Sequence, residues 1–535
     1  MLQFPPWKVG LIFLVLLWGV LMALPNVVNM SGMPGWMPHK SVNLGLDLRG
    51  GVYLMMEIEP DEVVANRLSV LARDVSSNLR GTSVSDRLYN ETKVVGRDLI
   101  VKLTRPNDDG TFRTAEALKR LEKLNGPVGG VIGGAKMYDM EITGPDTITI
   151  SVPQAAEESL VKDALAKTMT IVRRRVDPDG VSEISLTPQG TDRIILEAPG
   201  EPDPQRLKNL LSRDGRMTFN LVESSPSEIA RVQAGVPKSG YHLLSGPESG
   251  PLLVRDIPEI VGSDIANAAQ SFDERNRPQI TFRLNTAGAR KFYETTRNNT
   301  GKLFAIVLDD VIMSAPRIDE PIAGGNVRIT GNFTQQEAID LAAIIEAGEM
   351  PAKLQFLDQR TVSPTLGQDS INAGYTAAII GLLAVAVFMV LAYGTLGFFA
   401  VLSLACNIVL IFAGLSGINA TLTLPGIAGI ILTIGMAVDA NVLVFERIRE
   451  EQNDGRSPWT ATQAGYERAL STIMDANITT LIAATILYLL GSGPVKGFAV
   501  TLSIGIVTSV FTAYVVTRMI TVGWMKLLKP KRFNI

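Results

Sequence analysis

The sequence predicts an α-helical membrane protein: six transmembrane helices, with a large α+β domain of ferredoxin-like type held outside the cytoplasm. Three observations carry this. Of 535 residues, 46% are hydrophobic and 19% charged, and the mean hydropathy is positive, which is too apolar for a soluble chain of this length. The charge is unevenly placed: residues 38–370 net −7 and the flanks net +4, giving −3 for the whole chain. Long uncharged runs fill both flanks, so a soluble domain lies between membrane segments. Its acidic balance disfavours nucleic acid as a partner.

The run from Val9 to Val28 carries no charge and is long enough for one helix across a hydrocarbon core about 30 Å thick. A cleaved signal peptide is the other reading. The length of the run, Pro25 near its end and the lack of an Ala-x-Ala site favour an uncleaved anchor over residues 1–30. The second apolar region, Ile371 to Phe445, contains a single charged residue, Asp439. Three helices fit it, with turns at Tyr393–Gly397 and Ser416–Ala420, where small and polar residues permit reversals. A polar stretch from Glu446 to Leu470 follows. Two more helices, over roughly 471–490 and 498–522, complete a five-helix bundle over 371–525 and leave a tail at 526–535.

Six spans put both termini on one side. The short segments of that side hold Lys8, Arg447, Arg449, Arg456, Arg468, Arg518, Lys526, Lys529, Lys531 and Arg532, while the opposite turns hold only Lys496. Positive charge is retained in the cytoplasm, so both termini are expected there, with the large domain outside. Trp7, Trp36 and Trp524 fall at expected interfaces. Cys406 is the only cysteine, and His39 and His242 are far apart in sequence. These counts exclude disulfide scaffolds and Cys/His metal sites, and no cofactor is expected.

Within the domain, Leu44-Gly45-Leu46-Asp47-Leu48-Arg49-Gly50-Gly51 reads as a glycine turn opening a strand over Val52–Ile58, with Asp47 and Arg49 as an exposed same-face pair. Thr147–Val152, Val181–Thr187, Arg193–Ala198 and Met217–Val222 have strand composition. Helices are expected at Ala155–Val176 and after the Asp203-Pro204 cap. That order is βαββαβ, a ferredoxin-like layout assigned to a base over 31–224. Residues 225–335 read as an inserted lobe, with strands at Ile280–Leu284 and Leu303–Leu308, a helix between them, and Asp309-Asp310 turning into Val311–Ser314. The capping box Thr334-Gln335-Gln336-Glu337 opens a helix that Gly348 closes, and 336–370 returns to the base. No catalytic signature stands out, so an enzyme is not expected. The Gly126–Gly134 run lacks the Gly-Lys-Ser/Thr ending of a phosphate loop and reads as a flexible loop.

Asp439 is the costly residue. Placed about six residues inside the fourth span, a carboxylate costs roughly 2.5–3.5 kcal/mol even on the mild insertion scale, and such groups face a bundle interior or a water path. It either fixes helix packing or handles protons. Gly435 and Ala428 share its face, and Asn477 and Thr480 of the next span are candidate neighbours. Asp475 falls at the membrane boundary, where a solvated carboxylate is ordinary, which argues against an aspartyl protease. Glu446–Glu451 reads as a solvated helix end.

Five segments resemble the SecD/SecF family of bacterial protein-export membrane proteins, within the resistance-nodulation-division superfamily: Leu44–Gly51, Leu308–Pro316, Gly331–Thr334, Pro364–Ile371 and Gly435–Glu451. The resemblance spans nearly the whole chain. Val362-Ser363-Pro364 and Gly348-Glu349-Met350-Pro351 depart from the family pattern in loops only. What the resemblance implies is a subunit that pairs with SecF, associates with the SecYEG channel and uses the proton motive force to help draw unfolded preproteins outward, with a base and a mobile, substrate-binding head. It also implies that protons act at Asp439, supported by Gly435, Asn441, Glu446 and Arg447. It marks Gly45, Asp47, Arg49, Gly50 and Gly51 as the external motif, and Pro364, Gly367 and Asp369 as the entry to the second span. One six-helix half implies that the other half is a separate polypeptide. Half of a proton-coupled small-molecule exporter and a membrane-tethered holdase without proton coupling are the competing readings.

Overall fold

The computed structural model describes all residues except 1–4, 29–37, 39–40, 81–87, 105–111, 129–135, 181–183, 247–248, 492, 530–532 and 534–535. Trp36, His39, most of the Gly126–Gly134 run, the start of the Val181–Thr187 strand, Lys531 and Arg532 therefore lie outside the described residues. The chain forms two compact units, one of residues 1–52, 198–202 and 361–535, the other of residues 53–197 and 203–360.

Among the described residues of the first unit, five helical stretches are long and apolar enough to cross a membrane: Pro6–Asn26, Gly367–Gly417, Leu424–Asn453, Pro458–Leu490 and Pro494–Leu528. The second, 51 residues long, would reach roughly 75 Å if straight, more than twice a hydrocarbon core. It is not straight. Gly394 leaves helical geometry (φ 53°, ψ −124°), and a Cβ on Gly397 would stand 1.9 Å from the Met389 carbonyl oxygen, a point about 12 Å away along a continuous helix. The chain therefore doubles back within the expected Tyr393–Gly397 turn, and only a residue without a side chain fits where the two arms meet. The helix Pro458–Leu490 starts well before residue 471 because Ser457 caps it, accepting from the Thr460 N–H, and Pro458 opens its first turn.

Leu424–Asn453 is the central helix, with half of its apolar stretch buried against about a tenth for Pro458–Leu490. It meets Pro494–Phe511 along a seam of small residues. A Cβ on Gly505 would lie 2.3 Å from Thr433 Cγ2, one on Gly429 2.7 Å from Thr501 Oγ1, and one on Gly497 2.5 Å from Thr423 Oγ1. Without hydrophobic drive between helices in lipid, such close backbone approach supplies the packing energy. Below the seam, residues 512–516 form a π-turn, and the Thr512 carbonyl accepts from Ser403 Oγ (2.8 Å) and Thr517 Oγ1 (3.2 Å), so the carbonyl at the start of the wider winding is satisfied.

The second unit corrects the expected strand pairing. Thr147–Ser151, Ser185–Gln189, Arg193–Pro199 and Met217–Glu223 all exist, but they fall in three sheets instead of one. Thr147–Ser151 pairs antiparallel with Asp98–Leu103 and Asp139–Ile142, in a four-stranded sheet completed by Tyr89–Val95, a subdomain absent from the sequence reading. Its core is Leu68, Val75, Leu99, Val101, Leu121, Ile148 and Ile150, beneath the helices Pro60–Leu79 and Thr114–Leu121. A βαββαβ order does occur with other strands. The sheet runs Leu354–Val362, Gly51–Ile58, Arg193–Pro199, Ser185–Gln189, so its first strand is the one after the glycine motif and its last the one before the second span.

Elements on both sides of 225–335 pack with it. Met217–Glu223 is the central strand of its main sheet, between Leu252–Arg255 and Phe304–Leu308, and Gln335–Ala347 closes its core: Phe219, Ile280, Phe282, Phe292, Phe304, Ile306, Leu341 and Ile345 form one cluster. Asp309 and Asp310 both take positive φ (51° and 62°), the two-residue reversal expected between Phe304–Leu308 and Val311–Ser314. Asp203 and Thr334 cap the helices assigned to them.

The glycine seam gives a direct test. Gly505→Leu is expected to lower the thermal midpoint in detergent by several degrees, from an overpacking cost of about 1–3 kcal/mol. Gly523→Ala, whose Cβ would meet nothing within 4 Å, should leave it unchanged.

Candidate functional site

The external motif is built around a helix end. Asn43–Leu44 pairs in parallel with Thr421–Leu422, and the Gly45 N–H donates to the Leu422 carbonyl (2.8 Å). The chain then makes a single helical turn, Leu46–Arg49, in place of the simple turn expected. That turn separates Asp47 from Arg49. Asp47 is half-buried and accepts from the backbone N–H of Leu424, the first residue of the Leu424–Asn453 helix, whereas Arg49 is exposed. A same-face pair on a strand is thus replaced by a carboxylate at a helix N-terminus, where exposed N–H groups and the helix dipole favour negative charge. Thr423 adds the cap proper, its Oγ1 accepting from the Gly426 N–H (3.2 Å).

The glycines permit the next contacts. Gly50 (φ 73°) would place a Cβ 2.6 Å from the Pro364 nitrogen, and Gly51 (φ 132°) one 2.3 Å from the Ala198 carbonyl oxygen. A Cβ on Gly367 would lie 2.2 Å from the Leu48 carbonyl oxygen. The Gly50 carbonyl accepts from the Gly200 N–H (2.9 Å). Motif, second-span entry and central-helix start therefore meet at one place. Asp369, expected with Pro364 and Gly367, is exposed. The sequence reading missed Asn26, which donates to Ser416 Oγ (3.0 Å) and accepts from the Val42 N–H (2.8 Å), tying three chain segments together. It also missed Thr423 and Leu424, although Thr-Leu-Pro is a helix-start signal.

Further along the same helix, Ala428, Leu432, Gly435 and Asp439 form an exposed stripe at helical spacing. Spacing had placed Ala428, Gly435 and Asp439 on one face, and a Cβ on Gly435 would meet nothing within 4 Å. Among the described residues Asp439 has no hydrogen-bond or ion-pair partner. The suggested neighbours Asn477 and Thr480 bond to their own helix, at the Ile473 and Ala476 carbonyls. Asn441 points to the other side: it is 3% exposed and donates to the Ala437 carbonyl (3.1 Å).

The helix end is less solvated than expected. Glu446 accepts from Tyr393 Oη (2.9 Å) and Arg449 (2.8 Å), fastening the doubled-back turn to the central helix, while Arg447 pairs with Glu450 (2.6 Å). Glu451 is 2% exposed and held by Arg456 (2.7 Å) and Arg468, because the chain reverses after Asn453 and brings Arg468 against it. A charge run shows helical spacing but not what later folds over it.

Matches to known families cover these regions. The model of the SecD/SecF C-terminal region of protein export membrane proteins matches residues 344–526, that of the SecDF P1 head subdomain 241–352, and that of the P1 domain N-terminal part of protein translocase subunit SecDF 165–224. The protein translocase subunit SecD of Rickettsia bellii is 40% identical over 538 residues, covering 100% of both chains. This chain belongs to the SecD family. The SecD of Acetobacter pasteurianus is 41% identical over 98% of both chains. A crystal structure of SecDF, described as a translocon-associated membrane protein, from Thermus is 30% identical with a TM-score of 0.52; the match covers 98% of this chain and 61% of that one. A role in protein export through a membrane follows from the family.

Burial pushes the Asp47 carboxyl above its ordinary value of 3.8, and the Leu424 N–H opposes the rise. A raised carboxylate stabilises the fold fully below the ordinary value, and that contribution is lost as pH rises through the raised one. Asp47→Asn keeps an acceptor and should flatten this part of a melting-versus-pH profile; Asp47→Ala removes it and should cost about 1 kcal/mol at neutral pH.

Proposed function

We propose that this chain is the SecD subunit of the bacterial Sec translocase, which pairs with SecF, associates with SecYEG and uses the proton motive force to promote translocation of unfolded preproteins. The observation that carries the reading is the central helix. At one end it is gripped by the external motif, and about 23 Å along it presents Asp439 on an exposed stripe. In lipid such a carboxylate is costly, so a second polypeptide or a water path covers it, and SecF is the partner we assign to that face.

The doubled-back helix supports six crossings instead of five, which puts both termini on the cytoplasmic side where the basic residues lie and the second unit outside, in the bacterial inner membrane. We read the sheet of Gly51–Ile58, Ser185–Gln189, Arg193–Pro199 and Leu354–Val362 as the ferredoxin-like base. The lobe built on 225–335 and the two elements closing its core is then the substrate-binding head. No enzymatic step is required. Moving one charge through 100 mV is worth roughly 2.3 kcal/mol, enough to bias two conformations when protons cycle at Asp439 and Gly435 leaves room beside it. Asn441, Glu446 and Arg447 then hold the rod: Glu446 through Tyr393, Arg447 through Glu450, Asn441 on the packed face.

The test is export into inverted membrane vesicles with and without an imposed proton gradient. Asp439→Asn is expected to remove the gradient-dependent part, a loss of ten-fold or more, at unchanged protein level and SecF pairing. Gradient-dependent export that survives the substitution would sink proton coupling and leave the holdase reading. Altered drug sensitivity with normal secretion would favour the small-molecule exporter.

A further inference from the structure

Asp475 is the only charged residue between Arg468 and Lys496. With its helix starting near 471, as the sequence suggests, it falls at the membrane boundary. In the structure that helix starts at Pro458 and Asp475 lies in its middle. Two contacts set its depth. At the end nearest the external motif, Thr423 Oγ1 donates to the Pro494 carbonyl (3.3 Å), so the start of the Leu424–Asn453 helix and the turn after Leu490 share one level. Asp439 follows Leu424 by 15 residues and Leu490 follows Asp475 by 15, about 22 Å in each case. At the opposite end, a Cβ on Gly465 would stand 2.5 Å from Ile448 Cγ1 and 3.3 Å from the Val444 carbonyl oxygen, which sets residues 448 and 465 side by side. Counted back from there, Asp439 is about 14 Å away and Asp475 about 15 Å. The two registers agree: the acids lie at one depth on neighbouring antiparallel helices.

That depth is inside the apolar layer. The next charges beyond the two acids, Glu446 on one helix and Arg468 on the other, come about 10 Å further on, close to where a hydrocarbon core of about 30 Å measured from Leu424 and Leu490 ends. Neither acid is neutralised from within the chain. Both are exposed, and among the described residues neither side chain has a hydrogen-bond or ion-pair partner. Arg518, the only cation between Lys496 and Lys526, is stacked on Tyr466 (5.6 Å) and Tyr514 (5.4 Å). A proteolytic dyad, whose carboxyls share one proton across a hydrogen bond, is a different arrangement. The surroundings of the acids differ. One turn from Asp439 towards Glu446 stand Val442 and Leu443, whereas one turn from Asp475 towards Arg468 stand Ser471 and Thr472, both exposed. Thr479, Thr480 and Thr485 each bond the carbonyl four residues back (2.9, 3.0 and 2.8 Å). Among the described residues the Ser471 and Thr472 hydroxyls make no such bond. Arg468, Ser471, Thr472, Asp475 and Thr479 thus form an exposed polar stripe at helical spacing.

A carboxyl at membrane depth persists where it carries a proton or where water reaches it, and such residues mark proton relays. Hydroxyls that leave the backbone alone can both donate to and accept from water, and so order it beside the acid. Neighbouring helices stand about 8–10 Å apart, which a short chain of water spans and a direct hydrogen bond does not. We propose that Asp475 is a second proton-carrying residue, which takes the proton released by Asp439 and passes it towards the cytoplasm along Thr472 and Ser471. The O–H bond of the Asp439 carboxyl breaks as water takes its proton, an O–H bond forms on the Asp475 carboxylate, and Asp475 then gives a proton to the water held by the two hydroxyls. Only protons move, so no oxidant, reductant or co-reactant is needed. The direction of flow rests on the proposed function; the placement of Asp475 rests on the helix registers alone.

The experiment uses the full chain paired with SecF and reads the gradient-dependent part of export into inverted vesicles. Asp475→Asn, which keeps the size of the side chain, should lower that part five-fold or more, and Asp475→Glu should restore at least half of it. A residue that only packs against a partner gives the opposite order, since Asn fits where Glu does not. Ser471→Ala with Thr472→Val should lower it two-fold or more, while Thr485→Val, on the far side of the acid, leaves it unchanged. The infrared carboxyl band of the purified pair after a pH jump reads the proton itself: Asp475→Asn and Asp439→Asn should each remove one signal. Full gradient-dependent export in Asp475→Asn, beside an Asp439→Asn that has lost it, overturns the inference and leaves the proposed function standing. An infrared difference unchanged by Asp475→Asn overturns it whatever export does. If Asp475→Asn does not accumulate, unchanged export in the Ser471→Ala, Thr472→Val chain overturns it instead. Gradient-dependent export that survives Asp439→Asn removes the proposed function, and the infrared signal at Asp475 still decides whether that residue carries a proton.

Discussion

The arrangement depends on one contact, the seating of the turn Leu46–Arg49 on the N-terminus of the central membrane helix. An isolated helix start leaves four N–H groups unsatisfied. Here Thr423 takes one and Asp47, from a distant part of the chain, takes another, while Gly45 bonds just before them. Because the same turn also receives Pro364 and Gly367 at its glycines, three chain segments are fixed within a few ångströms of the end of the helix that carries Asp439. A helix is stiff along its axis, so displacement at one end is displacement at the other.

That rigidity has counterparts elsewhere. The central helix is held along its length by the Gly429, Gly497 and Gly505 seam, and at its far end by Tyr393, Glu446 and the buried Glu451 with its two arginines. Its remaining face is a stripe of Ala428, Leu432, Gly435 and Asp439, small or apolar except for the acid. In the second unit, the helix Gln154–Val176 ends in the buried Arg175, whose guanidinium donates to carbonyls within residues 210–214 and to that of Gly348. In both units a few polar bonds to backbone groups join segments far apart in the chain.

Much of this was legible in the sequence because it is local. Uncharged length marks a membrane helix, and Gly394 within an apolar run marks a reversal. Asp203-Pro204 and the Thr334–Glu337 box mark helix starts, and Asp309-Asp310 marks a hairpin. The face shared by Ala428, Gly435 and Asp439 follows from helical spacing alone. What failed was pairing. Thr147–Ser151 and Met217–Glu223 have the right residues for strands, but strand composition carries no information about which neighbour will supply the hydrogen bonds. The expected sheet therefore dissolved into three.

The sequence by itself determined the long apolar helices, the helix starts it marked, the family and the place of Asp439 in an apolar run, since each follows from residues near one another along the chain. Only the tertiary structure decided that Asp47 belongs to a helix beginning at Leu424 and that the Arg175 guanidinium meets carbonyls of residues 210–214 and 348 at once. The same holds for Glu451, which reads as solvated and is buried. The first two join residues tens to hundreds of positions apart, the third joins residues across a chain reversal, and nothing in a local pattern records which group a buried charge will meet. The cost of leaving such a group unsatisfied selects the fold, and that cost exists only once the chain has closed around it.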